Sequence, residues 1–235
     1  MQISALQRPA SLVEEVCTRL SDLILGLHDQ DRCDVSWLPA ERSLAQQLGV
    51  SRTVVREATK RLEQQGLLEI QHGTGIKIIR QLHRPLSDSL ALLIPDLPSR
   101  LRQLHQTRRA IEPVAAALAA QNASHEQLLA TRAAHERLAN AASNEEAIQA
   151  DIAWHHLVAA ASGNQIFSLI LDSLADIGLE SRLRTIGHIG KKPAVEHHAV
   201  IQKALEDRNP DAASAAMERH LQAALHDLHL DESQP

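Results

Sequence analysis

Residues 38–79 read LPAERSLAQQLGVSRTVVREATKRLEQQGLLEIQHGTGIKII. Pro39 suits a first helical position, where its missing N–H costs little, so a short helix is expected over residues 40–48. Gly49 and Val50 form a tight turn. Ser51 is a good N-cap for a helix over residues 52–65, and Gly66 suits the left-handed position that ends it. The period then changes. Residues 67–71 and 76–79 are short β-prone runs around His72-Gly73-Thr74-Gly75, the pattern of a hairpin. Two helices joined by a tight turn and followed by a hairpin make a winged helix-turn-helix.

Working outward, Leu12, Val16, Leu20, Leu23, Ile24 and Leu27 recur at spacings of three and four, which predicts a first helix over residues 12–27. Residues 28–36 are polar and loop-like. Charge is uneven along the chain. Residues 41–80 carry seven Lys or Arg against four Asp or Glu, whereas residues 86–235 carry 13 against 19. A basic module joined to an acidic one implies a binding unit plus a second function. Only 1% of residues are aromatic, so the base-stacking used by single-strand binders is excluded and duplex DNA is the expected nucleic-acid partner. Cys17 and Cys33 stand apart from any His or Cys cluster, which argues against a zinc ribbon or a disulfide framework. No apolar run reaches the ~20 residues of a membrane span, and no signal-peptide core precedes residue 19. A cytoplasmic protein is expected.

The rest of the chain predicts a mainly α protein. Three prolines between residues 81 and 99 mark a linker, with a short helix over residues 86–94. Six helices should follow: residues 100–121, then one capped by Ser124 and Gln127, 145–162, about 165–185, 194–208, and one from Pro210 to about residue 230. They form an antiparallel all-α bundle. The expected domains are a DNA-binding winged helix at residues 1–80, a linker at 81–98 and a helical domain at 99–235.

In a helix-turn-helix the second helix enters the major groove with its N-terminal side chains at base edges. Here those residues are Ser51, Arg52, Thr53 and Arg56, with Arg able to pair bidentately with guanine. The stretches Leu38-Pro39-Ala40-Glu41-Arg42, Leu44-Ala45, Gly49-Val50-Ser51-Arg52-Thr53-Val54-Val55-Arg56-Glu57-Ala58 and Gly66-Leu67 resemble the DNA-binding signature of the GntR family of bacterial regulators. The resemblance implies a homodimer on a palindromic operator. It also implies DNA contacts at Arg42, Ser51, Arg52, Thr53, Arg56, His72 and Gly73, with base specificity at Arg52 and Arg56.

The chain has 14 histidines. Asp151 and His155 are four apart and share a helix face. His198 shares a stripe with Ile201 and Leu205, and His220 with Met217 and Ala224, so both point inward. Three histidines and a carboxylate meeting in a bundle core would bind a divalent metal. The spacing leaves open that they are hydrogen-bonded core residues. Arg108-Arg109-Ala110-Ile111-Glu112-Pro113, Asp151-Ile152-Ala153-Trp154-His155, Gly163-Asn164, His198-Ala199-Val200-Ile201, Asn209-Pro210 and His220-Leu221 resemble the FCD effector domain of the fatty-acid-regulator-like branch of that family. The resemblance implies metal ligands at Asp151, His155, His198 and His220, with His197 the alternative to His198. The implied metal is zinc first, with nickel or manganese as alternatives. It also implies an organic-acid effector paired with Arg108, Arg184 being a second candidate. Trp154 departs from the family's usual Phe. There is no HExxH motif and no nucleophile elbow, so a regulator, in particular a repressor, is expected rather than an enzyme.

Overall fold

Ser11 opens the first helix through a reciprocal cap: its Oγ accepts from the Glu14 N–H and its own N–H donates to the Glu14 carboxylate. The computed structural model describes residues 11–27, 37–71, 73–79 and 81–228. The expected loop at residues 28–36 and the wing residue His72 lie outside them. Contacts divide the chain into two units, Met1–Pro85 and Leu86–Pro235.

In the first unit, helix α1 (Leu12–Gly26) buries Val13, Val16, Leu20 and Ile24, while Leu12 and Leu23 are exposed. The expected apolar stripe is therefore rotated by one position at its start. Strand β1 (Trp37–Leu38) leads into α2 (Glu41–Leu48), which is preceded by Ala40 with no side-chain cap. Pro39 thus sits ahead of the helix rather than in its first turn, because Leu38 is still paired in a sheet. Gly49 ends α2 at φ +68°, and Val50 N–H closes on the Ala45 carbonyl. Helix α3 (Arg52–Gln64) starts on Ser51, whose Oγ accepts from Val54 N–H at 3.3 Å. Gly66, at φ +77°, has no room for a Cβ, which would meet the backbone of Gln81. Strands β2 (Leu68–Gln71) and β3 (Gly75–Ile78) form the hairpin, and β1 adds to the other edge of β3, all antiparallel. Val16, Leu20, Ile24, Leu44, Val55, Leu62, Leu68 and Ile76 make one core. At about 1.5–3 kcal/mol for each large apolar side chain buried, that core fixes how α3 is presented.

The second unit is helical. Its elements are α4 (Arg84–Leu93, spanning the join), α5 (Leu97–Asn122), α6 (His125–Asn140), α7 (Asn144–Ala161), α8 (Gln165–Ser173), α9 (Ala175–Arg184), α10 (Ile186–Ile189), α11 (Lys192–Glu206) and α12 (Pro210–Asp227). Ser124 and Gln127 form the expected capping box on α6, and Asn209 caps α12 with Pro210 in the first turn. Ser143 caps α7. The single helix expected over residues 165–185 is two, broken at Leu174 (φ −96°, ψ 2°), and α10 follows after Thr185. Helix α12 packs along α5, α11 packs on α12, and α7 bridges α5 and α6. Ala116, Ala119 and Ala120 of α5 are fully buried beside Trp154, Ile201, Leu205, Met217 and Leu221. Small residues on α5 let neighbouring helices approach closely. Polar side chains at that depth can therefore meet across the bundle.

Candidate metal centre and nucleic-acid interface

At the start of α3 the side chains of Ser51, Arg52, Thr53 and Arg56 are exposed, as are Arg42 on α2 and Gly73 in the hairpin turn. Gly73 takes φ +84°, a conformation that costs a side-chain-bearing residue energy. Arg56 is not free. Its Nε and Nη2 donate to both carboxylate oxygens of Glu41 at 3.0–3.3 Å. Arg42 and Arg52 form no ion pair with any described residue. Glu41 thus joins α2 to α3 and orients one of the two arginines expected at base edges.

In the second unit the histidines converge. His155 comes from α7, His198 from α11 and His220 from α12, and all are buried. The Nε2 atoms of His155 and His220 lie 3.2 Å apart, and those of His198 and His220 3.4 Å apart. Asp151 closes the group, 3.4 Å from His198 Nε2 and 3.8 Å from His155 Nε2. These three imidazoles form a group whose ligand atoms all lie within 4.8 Å of one another. Nitrogens bound about 2.0–2.1 Å from a tetrahedral ion stand roughly 3.3–3.4 Å apart, so the imidazole spacing fits a first-row divalent metal.

Electrostatics agree with that fit. Burial pushes the pKa of all three histidines well below the ordinary imidazole value, so each is neutral with a lone pair to offer. Burial opposes the charged form of Asp151, yet its carboxyl is held below its usual range, the Arg182 guanidinium being the largest of the opposing influences. Arg182 Nε donates to Asp151 Oδ2 in a buried ion pair. The Glu112 carboxylate lies 2.6 Å from His155 Nδ1. A carboxylate there favours the tautomer with its proton on Nδ1, which leaves the Nε2 lone pair to the cluster. Glu112 also pairs with Arg108, four residues earlier on α5. His105, one turn before Arg108, shares a 3.0 Å hydrogen bond with Ser181 and is pushed down to about 3, chiefly by burial and then by Arg108.

Two cavities flank the cluster. One, of ≈ 40 Å³, is lined by Arg108, Asp151, Arg182, His197 and His220 together with Ile186 and Ile189 of α10. The other, of ≈ 20 Å³, lies against Arg108, Glu112, His155 and Arg182. Arg184 is exposed on α9 and lines neither cavity, whereas Arg182, two residues earlier, is buried and lines both. Sequence reasoning gave no role to Arg182 or Glu112, although the i,i+4 spacing of Arg108 and Glu112 was a usable signal. His198 is in the cluster, whereas His197 is half-buried in the cavity wall with its ring centroid 5.7 Å from that of His220. His156 turns away to Asp172 at 2.9 Å.

A winged helix joined to a helical domain defines a class of DNA-binding regulators. Residues 35–78 match the family described as "Bacterial regulatory proteins, gntR family", and residues 103–223 match the FCD domain. The chain belongs to the GntR family of bacterial transcriptional regulators, in the branch that carries an FCD domain. It is 29% identical over 193 residues to the HTH-type transcriptional repressor NanR of Klebsiella aerogenes, covering 79% of this chain and 74% of that protein. It is 28% identical over 208 residues to the Glc operon transcriptional activator of Escherichia coli K12, covering 83% and 82%. The solved structure of Streptococcus agalactiae GntR superposes with a TM-score of 0.69 at 28% identity, covering 90% of this chain and 98% of that one. These relatives are regulators, not enzymes. Among the described residues no helix is long and apolar enough to cross a membrane.

Proposed function

We propose that this regulator's affinity for its operator is controlled by a small carboxylic acid bound beside a divalent metal, zinc first, in the helical domain. The observation that carries the reading is a group of three buried neutral imidazoles beside a cavity lined by Asp151, His220, Arg108 and Arg182. Asp151, His155, His198 and His220 are the ligands. A bound metal would supply open coordination positions for carboxylate oxygens. With the imidazoles neutral, the charges of Asp151 and Glu112 offset those of Arg108 and Arg182. A divalent ion then adds two buried positive charges, and an anion is the fitting counter-charge. Arg108 and Arg182 present guanidiniums for charge-assisted hydrogen bonds to it. The ≈ 40 Å³ of the larger cavity is room for a few water-sized groups, at about 10–15 Å³ each. It takes the carboxylate head, and the body of a larger acid displaces the α10 wall.

The DNA-binding domain is residues 1–80, the linker 81–98 and the effector domain 99–235. The protein acts as a homodimer on a palindromic operator, with Arg52 and Arg56 at base edges and Arg42, Ser51, Thr53, His72 and Gly73 on the backbone. Repression is the sign we assign, as in the NanR relative. A thermal-shift screen of small carboxylic acids, with and without zinc, tests the reading, since a ligand that binds the native state raises apparent stability. Stabilisation by an acid only when zinc is present supports it. No acid-dependent shift, or the same shift after chelation, refutes it.

A further inference from the structure

His198 is held differently from His155. The Glu112 carboxylate lies against the His155 ring, 2.6 Å from Nδ1. His198 Nδ1 is buried and has no hydrogen-bond partner among the described residues. What His198 has is a flat neighbour. Trp154 stacks on its ring, with centroids 3.8 Å apart and planes 18° from parallel. Neither side chain has exposed surface. The indole is itself tethered: Trp154 Nε1–H donates to Gln202 Oε1 at 3.4 Å. Gln202 Nε2 donates to Glu206 at 2.8 Å, and Glu206 pairs with Arg132 on α6 at 2.9 Å. The tether therefore runs from the centre of the cluster to a surface ion pair.

We propose that Trp154, held by Gln202, is the positioning residue for His198, setting the imidazole plane by stacking where His155 uses a carboxylate. The proposal rests on the metal reading above. A ring with no acceptor at Nδ1 is free to turn about its Cβ–Cγ bond. The stacked indole removes that freedom, since a large rotation drives the imidazole edge into the indole face. The Nε2 lone pair then stays directed toward His220 Nε2. A ligand imidazole without an outer hydrogen bond is also the less basic donor, so His198 depends on correct aim more than His155 does.

The test uses the full-length protein in a Trp37→Phe background. The chain has two tryptophans and no tyrosine, so Trp154 becomes the fluorophore. Zinc affinity is measured by chelator competition, and the visible spectrum of the cobalt-loaded protein reports ligand geometry. Melting of each metal-free variant checks that it folds. One equivalent of zinc should change Trp154 emission. Trp154→Leu should weaken zinc binding about tenfold or more and alter the cobalt bands, and Trp154→Phe, which keeps a flat ring, should restore most of the affinity. Gln202→Leu should fall between. A folded Trp154→Leu protein with parental affinity and cobalt spectrum overturns the proposal. Should that variant not fold, unchanged affinity and spectrum in Gln202→Leu overturn it equally. Failure of the Trp37→Phe parent to take up zinc or cobalt overturns the metal reading itself and this proposal with it. Normal uptake with unaffected variants overturns this proposal alone.

Discussion

Asp151→Asn is the substitution whose consequence the structure specifies most fully. Asp151 and Arg182 are 3% and 7% exposed and form a buried ion pair. The amide removes one charge and leaves the guanidinium buried without its partner. Breaking a buried pair in this way costs about 3–5 kcal/mol, against total stabilities on the order of 5–15 kcal/mol for a domain. Metal-free protein should therefore lose about a fifth or more of the stability of its helical domain. Removing the second charge as well reverses most of that loss, because a well-packed neutral pair is often as stable as the ion pair it replaces. The assay is urea unfolding of chelator-treated protein at pH 7.5, followed by Trp154 emission in a Trp37→Phe background. Asp151→Asn should lower the unfolding free energy by about 3–5 kcal/mol. The double variant Asp151→Asn, Arg182→Met should return to within about 1–2 kcal/mol of the parent, and adding the Arg182→Met single variant yields the coupling energy. A loss under about 1 kcal/mol in the single variant, or a double variant no more stable than the single, would refute the buried-pair reasoning.

Acid should destabilise the metal-free helical domain. Burial holds His155, His198 and His220 neutral in the folded state, whereas unfolded imidazoles take up protons below about pH 6.5. Stability is then fully present above that pH and falls as pH drops below it, by up to about 1.4 kcal/mol per pH unit for each histidine. A urea midpoint that does not change between pH 7.5 and 5 would contradict this. Arg52→Ala should weaken binding to promoter DNA by about 1–3 kcal/mol and affect unrelated DNA less, as read by fluorescence anisotropy. Equal losses on both DNAs would remove Arg52 from the base edges. Glu41→Gln releases Arg56 from its ion pair. It should raise affinity for unrelated DNA, steepen the salt dependence by about one phosphate contact and narrow the gap between specific and unrelated sites. Once an acid ligand is found, calorimetry should record at least a tenfold loss for Arg182→Lys and no change for Arg184→Ala. The reverse ranking would restore Arg184 to the site.

The winged helix was legible because its signals are local. Ser51 caps, Gly49 and Gly66 turn, and the apolar period switches within a few residues. Strand β1 was not legible, since two residues carry no period and Trp37–Leu38 is a strand only by pairing with β3. That pairing also displaced Pro39 from its expected place. His198 and His220 were readable as inward-facing because each shares an apolar stripe, and Asp151 and His155 as one face because they are four residues apart. Arg182 was not readable. A helix face can be projected only from a known start, and the break at Leu174 has no Gly or Pro to announce it. Two residues then decide whether an arginine meets Asp151 or solvent. Glu112 was visible as an acid four residues from Arg108, but its contact with His155 spans two helices and depends on their packing.

The most direct test of the central claim is the affinity of zinc-loaded protein for DNA from its own promoter, titrated with an acid that stabilises the protein and repeated after chelation. The account predicts that the acid changes DNA affinity by roughly 5- to 150-fold, the range of a 1–3 kcal/mol coupling, and that the change disappears when the metal is removed. An equal acid response in the chelated protein, or DNA affinity indifferent to the acid in the loaded one, would contradict it.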